Sequence, residues 1–258
     1  MAEALIAGFL DANLTLASAI TLSSQRGISA QNLAQKYGLS FASSNEEAIM
    51  ASSLIFLCVK PAQALEVLRA NAPLLKDKLI ISIVAGIPSH QLFDASGTHA
   101  RIIRTMPNLA VGVRQGVTTI TPHCSARRED ILVTKEFFGA LGALYQIEED
   151  QVNIVTALSG SGPAFALLFF QGLLQASIQQ GLPASKARSL AAHVLAAASA
   201  LMLKTEDSAT SVITKIASPQ GTTEAGLEVL KAKSFSSIVA TALVAASRRA
   251  EELALSCS

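Results

Sequence analysis

Two segments in the second half of the chain combine hydroxyl groups, glycines and an expected helix start. The 158–164 segment reads Leu-Ser-Gly-Ser-Gly-Pro-Ala, with Pro163 in the expected first helical turn. The 218–223 loop reads Ser-Pro-Gln-Gly-Thr-Thr, and Thr222 or Thr223 is expected to cap the helix that follows. The first N–H groups of a helix have no intrahelical acceptor, so they favour an anion such as a carboxylate. Either segment alone also fits a turn that binds nothing, whereas two in one region favour a binding site.

Polar turns follow three apolar runs in the first half. They are Cys58-Val59-Lys60-Pro61, Ala85-Gly86-Ile87-Pro88 and Met106-Pro107-Asn108. In an open α/β sheet, cofactors bind at the carboxyl ends of the strands, where such turns would meet. Asn108 has a carboxamide that suits a nicotinamide carboxamide. Lys60 taken alone is more simply an exposed lysine at a helix start, and Ala85–Pro88 a plain turn.

The start of the chain resembles the first helix of a dinucleotide-binding βαβ unit. Met1–Leu10 is apolar, and Ala2 falls at the third small position of a Gly-x-Gly-x-x-Gly/Ala turn. The first strand and the two leading glycines are absent. About 20 residues past such a turn, an acidic residue would bind the ribose of NAD. Here Ser23, Ser24 and Arg26 suit a 2′-phosphate instead, which predicts a preference for NADPH; the alternative is a solvated arginine in a loop.

The elements that position these residues differ between the two halves. Up to about residue 148, helix-like stretches alternate with short apolar runs, which predicts a parallel sheet covered on both faces. The predicted strands are Ala19–Ser23, Leu54–Val59, Leu79–Val84, Ile102–Met106 and Val117–Thr121, and the helices between them include Ala30–Tyr37 and Pro61–Asn71. From Gln151 the chain is Ala- and Leu-rich, with helix starts expected at Pro163, Pro183 and Asp207. We therefore predict a Rossmann-like α/β domain over 1–148 and an all-helical domain over 149–258.

Composition excludes several classes of protein. Of 258 residues, 50% are hydrophobic, 15% charged and 5% aromatic, and the net charge is +1. A nucleic-acid binder needs a concentrated basic surface, so no nucleic-acid partner is expected. Cys58, Cys124 and Cys257 are scattered, which indicates reduced thiols without a disulfide framework. The longest apolar run, Ser189–Leu203, is interrupted by His193 and too short to span a bilayer. We expect a cytoplasmic protein without a membrane partner.

Taken together, the motifs resemble those of the pyrroline-5-carboxylate reductases, the last enzymes of proline synthesis. The resemblance runs from Met1 to about Leu253. It depends on Val59-Lys60-Pro61, Met106-Pro107-Asn108, Ser159–Ala164, Gly181-Leu182-Pro183 and Ser218–Thr223, the last followed by Ala225-Gly226-Leu227 and Leu230. It implies reduction of 1-pyrroline-5-carboxylate to L-proline with NADPH, with NADH also possible. It further implies a homodimer or higher homo-oligomer built on the apolar helices expected at Ser185–Leu203 and Phe235–Ala254.

The resemblance also implies roles for individual residues. Ser218, Gly221, Thr222 and Thr223 match the loop that holds the imino acid's carboxylate and ring nitrogen, and the hydroxyl of Thr223 faces that nitrogen. Ser23, Ser24 and Arg26 fall in the cofactor's phosphate region. Lys60, Pro61, Ala85 and Asn108 fall along the ribose and nicotinamide.

The chain departs from the family pattern at several points. Gln220 stands where the family usually has glycine, and Leu109-Ala110 replace Thr-Pro. A side chain at position 220 carries a penalty if the loop requires a positive φ there. The absent first strand would leave the second and fourth strands of a 3-2-1-4-5-6 sheet facing each other across a gap. We expect either a true start upstream of Met1, which we favour, or a truncated form that cannot cradle the pyrophosphate.

The residue types suit an enzyme that reduces an imine mainly by holding the two reactants in the right position. A protonated imine is already electrophilic, so no strong acid is required of the protein, and no His–Asp couple or carboxylate pair stands out in the sequence. His90, His99, His123 and His193 have no metal-ligand spacing, so no metal is expected. We expect the nicotinamide and the ring carbon to be held about 3–3.5 Å apart.

Two other functions remain open from the sequence. One is a β-hydroxyacid-dehydrogenase-like NADP oxidoreductase, although those enzymes use a lysine in the helix after the Gly-rich loop and residues 163–180 contain none. The other is a non-catalytic, truncated homologue that acts as a dimerisation module.

Overall fold

A computed structural model of the protein describes residues 1–24 and 27–256. The chain divides into two compact units: Met1–Gly160 together with residues from Ala246 onward, and Ser161–Ala245. In the described residues, the strands belong to the first unit and the second unit is helical. The predicted fold class, a Rossmann-like α/β part followed by a helical part, is confirmed.

The strands of the first unit lie close to their predicted positions. They are β1 (Thr21–Leu22), β2 (Ser40–Phe41), β3 (Leu54–Leu57), β4 (Leu79–Ser82), β5 (Arg101–Pro107), β6 (Gly116–Pro122) and β7 (Gly142–Gln146). The sequence analysis missed β2 and β7. Both are weak as patterns, because β2 has two residues and β7 contains polar and half-exposed positions.

The helices of this unit are short to medium in length. They are α1 (Ala2–Asp11), α2 (Ile28–Tyr37), α3 (Asn45–Met50), α4 (Pro61–Asn71), α5 (Ser89–Ala95), α6 (Arg128–Gly139) and α7 (Val152–Val155). A π-helical turn, Thr156–Ser161, follows α7 directly. The predicted first helix and the helices over 30–37 and 61–71 are confirmed.

The main sheet has five strands in the order β3-β4-β5-β6-β7. The strands β3, β4 and β5 are parallel, with Leu57 beside Ser82 and Ser82 beside Arg104. The strand β6 runs antiparallel to β5, so the prediction of a wholly parallel sheet is wrong. The reason is the link between them: residues 108–115 are too few for a crossover helix, and the chain turns straight back.

The strands β1 and β2 form a separate parallel pair. Within residues 1–24 and 27–256, β1 pairs only with β2, and β3 pairs only with β4. Each of β1 and β3 therefore has one edge without a strand partner. This topology agrees with the expectation that the second and fourth strands do not pair with each other.

Apolar side chains cover both faces of the five-stranded sheet. Ile80 and Ile102 point to the face that packs with α4 and α5, whereas the adjacent Ile81 and Ile103 point to the face that packs with α1 and α6. This alternation follows from the two-residue period of a strand. On the α1 side, the ring of Phe9 lies 5.0 Å from Phe137 and 5.3 Å from Phe56, which fixes α1 on the sheet.

The helices that follow are largely exposed, and three of them are longer than any helix before them. They are α8 (Gly162–Gln179), α9 (Ala184–Lys204), α10 (Ala209–Ile216), α11 (Thr222–Ala232) and α12 (Phe235–Ser256), whose last residues cluster with the first unit. Ala187 and Ala191 are buried on α9, where small side chains let α8 and α9 pack closely. Apolar side chains such as Leu168 (69% exposed) and Leu203 (83% exposed) face away from the chain.

By length and composition alone, the helical stretch Glu149–Gln179 is long and apolar enough to cross a membrane. It has 31 residues and a mean hydropathy of 1.5, and 17% of its most apolar window is buried within the chain. The sequence analysis had considered only Ser189–Leu203 for this property, and so missed the more apolar stretch.

Candidate functional site

Three residues predicted to bind the cofactor meet at one edge of the sheet. Lys60, Ala85 and Asn108 each follow the carboxyl end of a strand, and these strands, β3, β4 and β5, are parallel neighbours. This is the edge at which open α/β sheets bind nucleotides.

Lys60 and Pro61 form the start of α4. Lys60 is the N-cap with extended backbone, and Pro61 occupies the first turn, where a missing N–H costs nothing. Both residues are exposed, and none of the ion pairs in the described part of the chain involves Lys60. The Lys60 ammonium is thus available to a phosphate or a ribose hydroxyl.

Cys58, two residues before Lys60, is not a reactive group. Its side chain packs against the apolar cluster under α1, and this burial raises the pKa of the thiol to about 12. The thiolate form is the nucleophile, so Cys58 is chemically inert at neutral pH.

Asn108 is buried, and its side chain already has protein partners. Oδ1 accepts from the N–H groups of Ala110 and Val117, each at 3.2 Å, and Nδ2 donates to the carbonyl oxygen of Ser159 at 3.0 Å. A carboxamide has two acceptor lone pairs and two N–H donors, so one N–H of Asn108 remains for a ligand. Contact with the nicotinamide stays a prediction.

The predicted phosphate-binding residues follow β1. Ser23 Oγ donates to Oδ1 of Asn45 at 2.8 Å, and the hydroxyls of Ser24 and Ser29 are 3.3 Å apart. Arg26 lies outside the described residues. The sequence analysis missed Asn45, which begins α3 four residues after β2. A polar residue that starts a helix just past a strand end was the signal that could have found it.

The predicted substrate residues lie in the second unit: Ser218 and Gly221 in the loop before α11, and Thr222 and Thr223 as the first two residues of that helix. Gly221, not Thr222 or Thr223, is the N-cap, and no side chain caps the helix. The predicted threonine cap is therefore wrong. The N–H of Gly221 donates to the carbonyl of Ser218 at 3.0 Å, and this tight turn starts the helix one residue early.

This helix start is open, with polar groups in reach of solvent. Ser218 and Thr222 are exposed and Thr223 is half-buried. The N–H groups of the first turn, from Thr222 to Glu224, have no intrahelical acceptor. Glu224 folds back and accepts from the backbone N–H of Gln220 at 2.6 Å, which holds the loop in shape.

Gln220 adopts a φ of +59°, the left-handed conformation that favours glycine. A side chain at position 220 was expected to carry a penalty if the loop requires a positive φ there, and φ is positive at this position. The side chain of Gln220 is exposed.

A buried polar cluster also escaped the sequence analysis. Arg104, on β5, forms an ion pair with Glu149, and Glu149 accepts from Ser89 Oγ at 2.7 Å. Arg104 is 5% exposed, and its Nε has no partner among the described protein atoms. An arginine between the apolar residues of a strand was the signal, since a buried charge requires a partner.

Models of two known families match the chain. The model described as pyrroline-5-carboxylate reductase dimerisation matches residues 149–253. The model described as NADP oxidoreductase, coenzyme F420-dependent, matches residues 1–86.

Relatives match nearly the whole chain. The pyrroline-5-carboxylate reductase of Synechocystis sp. is 32% identical over 98% of this chain and 94% of its own. That of Pseudomonas aeruginosa is 34% identical over 98% and 93%. A crystal structure of the Plasmodium falciparum pyrroline carboxylate reductase with NADP bound has a TM-score of 0.88 at 28% identity, covering 97% of this chain and 93% of that one. The match thus includes the sheet edge and the loop before α11, and the chain belongs to the pyrroline-5-carboxylate reductase family.

Proposed function

We propose that the protein reduces 1-pyrroline-5-carboxylate to L-proline with NADPH, in the cytoplasm. In this proposal residues 1–148 hold the cofactor, and residues 149–258 hold the substrate and form the contact between subunits. Membership of the family supports the reaction. The main structural observation in support of this reaction is the open start of α11. The N-cap there is a glycine, and the hydroxyls of Thr222 and Thr223 do not cap the helix.

The loop before α11 suits a small carboxylate. Three backbone N–H groups at a helix start, with the positive end of the helix dipole, bind an anion without any cationic side chain. Ser218 and Thr222 add exposed hydroxyls beside them. We assign the substrate carboxylate to this helix start, with Ser218, Gly221 and Thr222 as its contacts.

Thr223 is the residue we assign to the ring nitrogen. Its side chain is half-buried, and its hydroxyl makes no hydrogen bond to the described protein atoms. The imine arrives protonated, so its nitrogen keeps that proton while the ring carbon gains the hydride. A hydroxyl can accept the N–H hydrogen bond and hold the ring in place without transferring a proton.

The residues at the sheet edge fit a nicotinamide nucleotide. Lys60 offers an uncommitted ammonium, Ala85 a small half-buried side chain, and Asn108 one remaining N–H. Reduced nicotinamide supplies the hydride when bound. The protein's part at this edge is to hold and orient, because no acid or base is needed there.

We propose NADPH rather than NADH as the preferred donor. Ser23 and Ser24 follow β1, and Ser23 Oγ donates to Oδ1 of Asn45 at 2.8 Å. The amide N–H groups of Asn45 and the hydroxyl of Ser24 are then the donors near the expected 2′-phosphate. Arg26 would add the charge. Because a hydrogen bond to a charged group contributes about 1.5–3 kcal/mol, Arg26→Ala should raise the KM for NADPH by about tenfold or more and leave the KM for NADH nearly unchanged.

The exposed apolar faces of the helical unit favour a homodimer. Leu168 on α8 and Ile238 on α12 are among the many exposed apolar side chains of this unit, and large exposed apolar areas mark protein contacts. We propose that a second copy covers these faces. Light scattering in detergent-free buffer should give at least twice the mass of the chain; a monomer would contradict the proposal.

A second candidate is a non-catalytic dimerisation module. The observation that favours it is the break between the β1–β2 pair and the five-stranded sheet, which lies in the cofactor-binding half.

One assay separates the two candidates. Purified protein is mixed with NADPH and 1-pyrroline-5-carboxylate, and the loss of absorbance at the nicotinamide band is followed. Wild type should oxidise NADPH, and Thr223→Ala should lower kcat at least about tenfold, the effect of about 1.4 kcal/mol, with NADPH binding unchanged. The matched control is Thr241→Ala, which removes a hydroxyl that donates to its own helix at Ser237. A folded wild type that leaves NADPH intact would support the non-catalytic module.

A further inference from the structure

Asn108 links the end of β5 to the π-helical turn Thr156–Ser161. Its Oδ1 accepts hydrogen bonds from the backbone N–H groups of Ala110 and Val117, and these two bonds orient the carboxamide. Its Nδ2 then donates to the carbonyl oxygen of Ser159, 51 residues along the chain, at 3.0 Å. The bond is buried, since Asn108 is 6% exposed and Ser159 is buried as well. A buried hydrogen bond is screened little and costs most when one partner is removed.

The Ser159 carbonyl has no donor at the α-helical spacing. In an α-helix this oxygen would accept from the N–H four residues later, and that residue is Pro163, which has no N–H. The helix widens into a π-turn at this point, and such turns are frequent at functional sites. Asn108 supplies a donor to this carbonyl from outside the helix. The side chain of Ser159 is committed elsewhere, with Oγ donating to the carbonyl of Val155 at 2.8 Å.

We infer that Asn108 is a positioning residue for the reduction: its carboxamide holds the Ser159 carbonyl and so sets the course of the 158–164 segment. This role rests on the proposed function, and it is distinct from the predicted contact with nicotinamide. The same end of the helical stretch is held a second time by the buried ion pair between Arg104 and Glu149. The ion pair of Arg104, on β5, and the hydrogen bond of Asn108, directly after β5, thus hold residues 149–160 on the sheet.

The sharpest variant is Asn108→Asp. The carboxylate keeps the size of the side chain and the two acceptor bonds to Ala110 and Val117, but it loses the donor and sets an oxygen against the Ser159 carbonyl. The matched control is Asn71→Asp, because Asn71 is also buried and donates Nδ2 to a helix carbonyl, that of Val67, at 2.8 Å. Asn71 is the last residue of α4, at the opposite end of that helix from Lys60 and Pro61.

Two measurements test the role. Amide hydrogen exchange of the ligand-free protein should quicken in peptides covering residues 152–162 for Asn108→Asp and stay unchanged there for Asn71→Asp. In the NADPH assay, Asn108→Asp should lower kcat about 10- to 100-fold, the range that a misplacement of about 1 Å produces. Its KM for NADPH should rise as well, because the variant also loses the N–H that we assign to the nicotinamide.

Each outcome is decisive. Unchanged exchange in residues 152–162 would overturn the inference, and so would a rise in the KM for NADPH at constant kcat, which is the signature of a direct cofactor contact. Should Asn108→Asp fail to fold, Pro163→Ala tests the same bond from the other side. Its new N–H competes for the Ser159 carbonyl, so kcat should fall and exchange over residues 156–161 should slow; no change in either would overturn the inference. A wild type that folds but is inactive would contradict the proposed function. The hydrogen-exchange comparison would still test the hydrogen bond between Asn108 and Ser159.

Discussion

A β-carbon added at Gly221 would lie 2.6 Å from Oγ of Ser218 and 3.0 Å from the carbonyl oxygen of Ser218. The glycine is demanded by space and not by backbone angle, because its φ is −88°. Ser218 and Gly221 therefore close the turn that presents the open start of α11.

Gly221→Ala should damage substrate binding more than stability. The Ser218 hydroxyl can rotate away from the new methyl group, but the carbonyl is backbone and must move with the loop. We expect the KM for 1-pyrroline-5-carboxylate to rise at least about tenfold, equivalent to about 1.4 kcal/mol, with little change in melting temperature because the loop is exposed. The control is Gly226→Ala in the same helix, where a β-carbon meets nothing within 4 Å. There we expect an unchanged KM and a melting temperature equal to or above that of wild type.

Gln220 should show the cost of its left-handed backbone. Its φ is +59°, and an L-residue in this region loses about 1–2 kcal/mol relative to glycine. Gln220→Gly removes that strain but adds freedom to the unfolded chain worth about 0.5–1 kcal/mol, so the free energy of unfolding should change by less than about 1 kcal/mol. Gln220→Val, which is β-branched, should destabilise the protein more than Gln220→Gly does. Urea unfolding measures both, and equal stabilities would contradict the argument.

The two halves of the Arg104–Glu149 ion pair should not be equally sensitive. The Arg104 side chain is 5% exposed, whereas that of Glu149 is 35% exposed. Glu149→Gln leaves a buried cation without a counter-charge, and we expect a loss of about 3 kcal/mol in the free energy of unfolding. Arg104→Met fills the same space with an apolar side chain and leaves a carboxylate that water can reach, so its loss should be smaller. Urea unfolding at neutral pH checks the order; a larger loss for Arg104→Met would contradict it.

Cys58 and Cys124 should react at very different rates. Burial raises the pKa of the Cys58 thiol to about 12, so almost none is thiolate at pH 8, whereas Cys124 is exposed. Iodoacetamide at pH 8, followed by peptide mass spectrometry, should modify Cys124 first and leave Cys58 intact. In concentrated urea the two should react at similar rates. Equal rates in the folded protein would show that Cys58 is accessible.

Much of the fold was predictable because its signals are local. The helix over 61–71 begins at a proline suited to a first turn, and β3, β4 and β5 are short apolar runs bounded by turns. The change to long Ala- and Leu-rich helices also appears directly in composition. The antiparallel direction of β6 and the strands β2 and β7 were not predicted, because strand direction and weak pairing depend on partners distant in sequence.

The sequence by itself determined the order of elements, the family motifs and the residue types available for imine reduction, since all of these depend on neighbours along the chain. The tertiary structure alone decided which polar groups are already committed. Asn108 donates to Ser159, Arg104 pairs with Glu149, and Gly221 rather than a threonine caps α11. These contacts join residues up to 51 positions apart, and hydrogen bonds at such separations follow from how the chain packs and not from any local pattern.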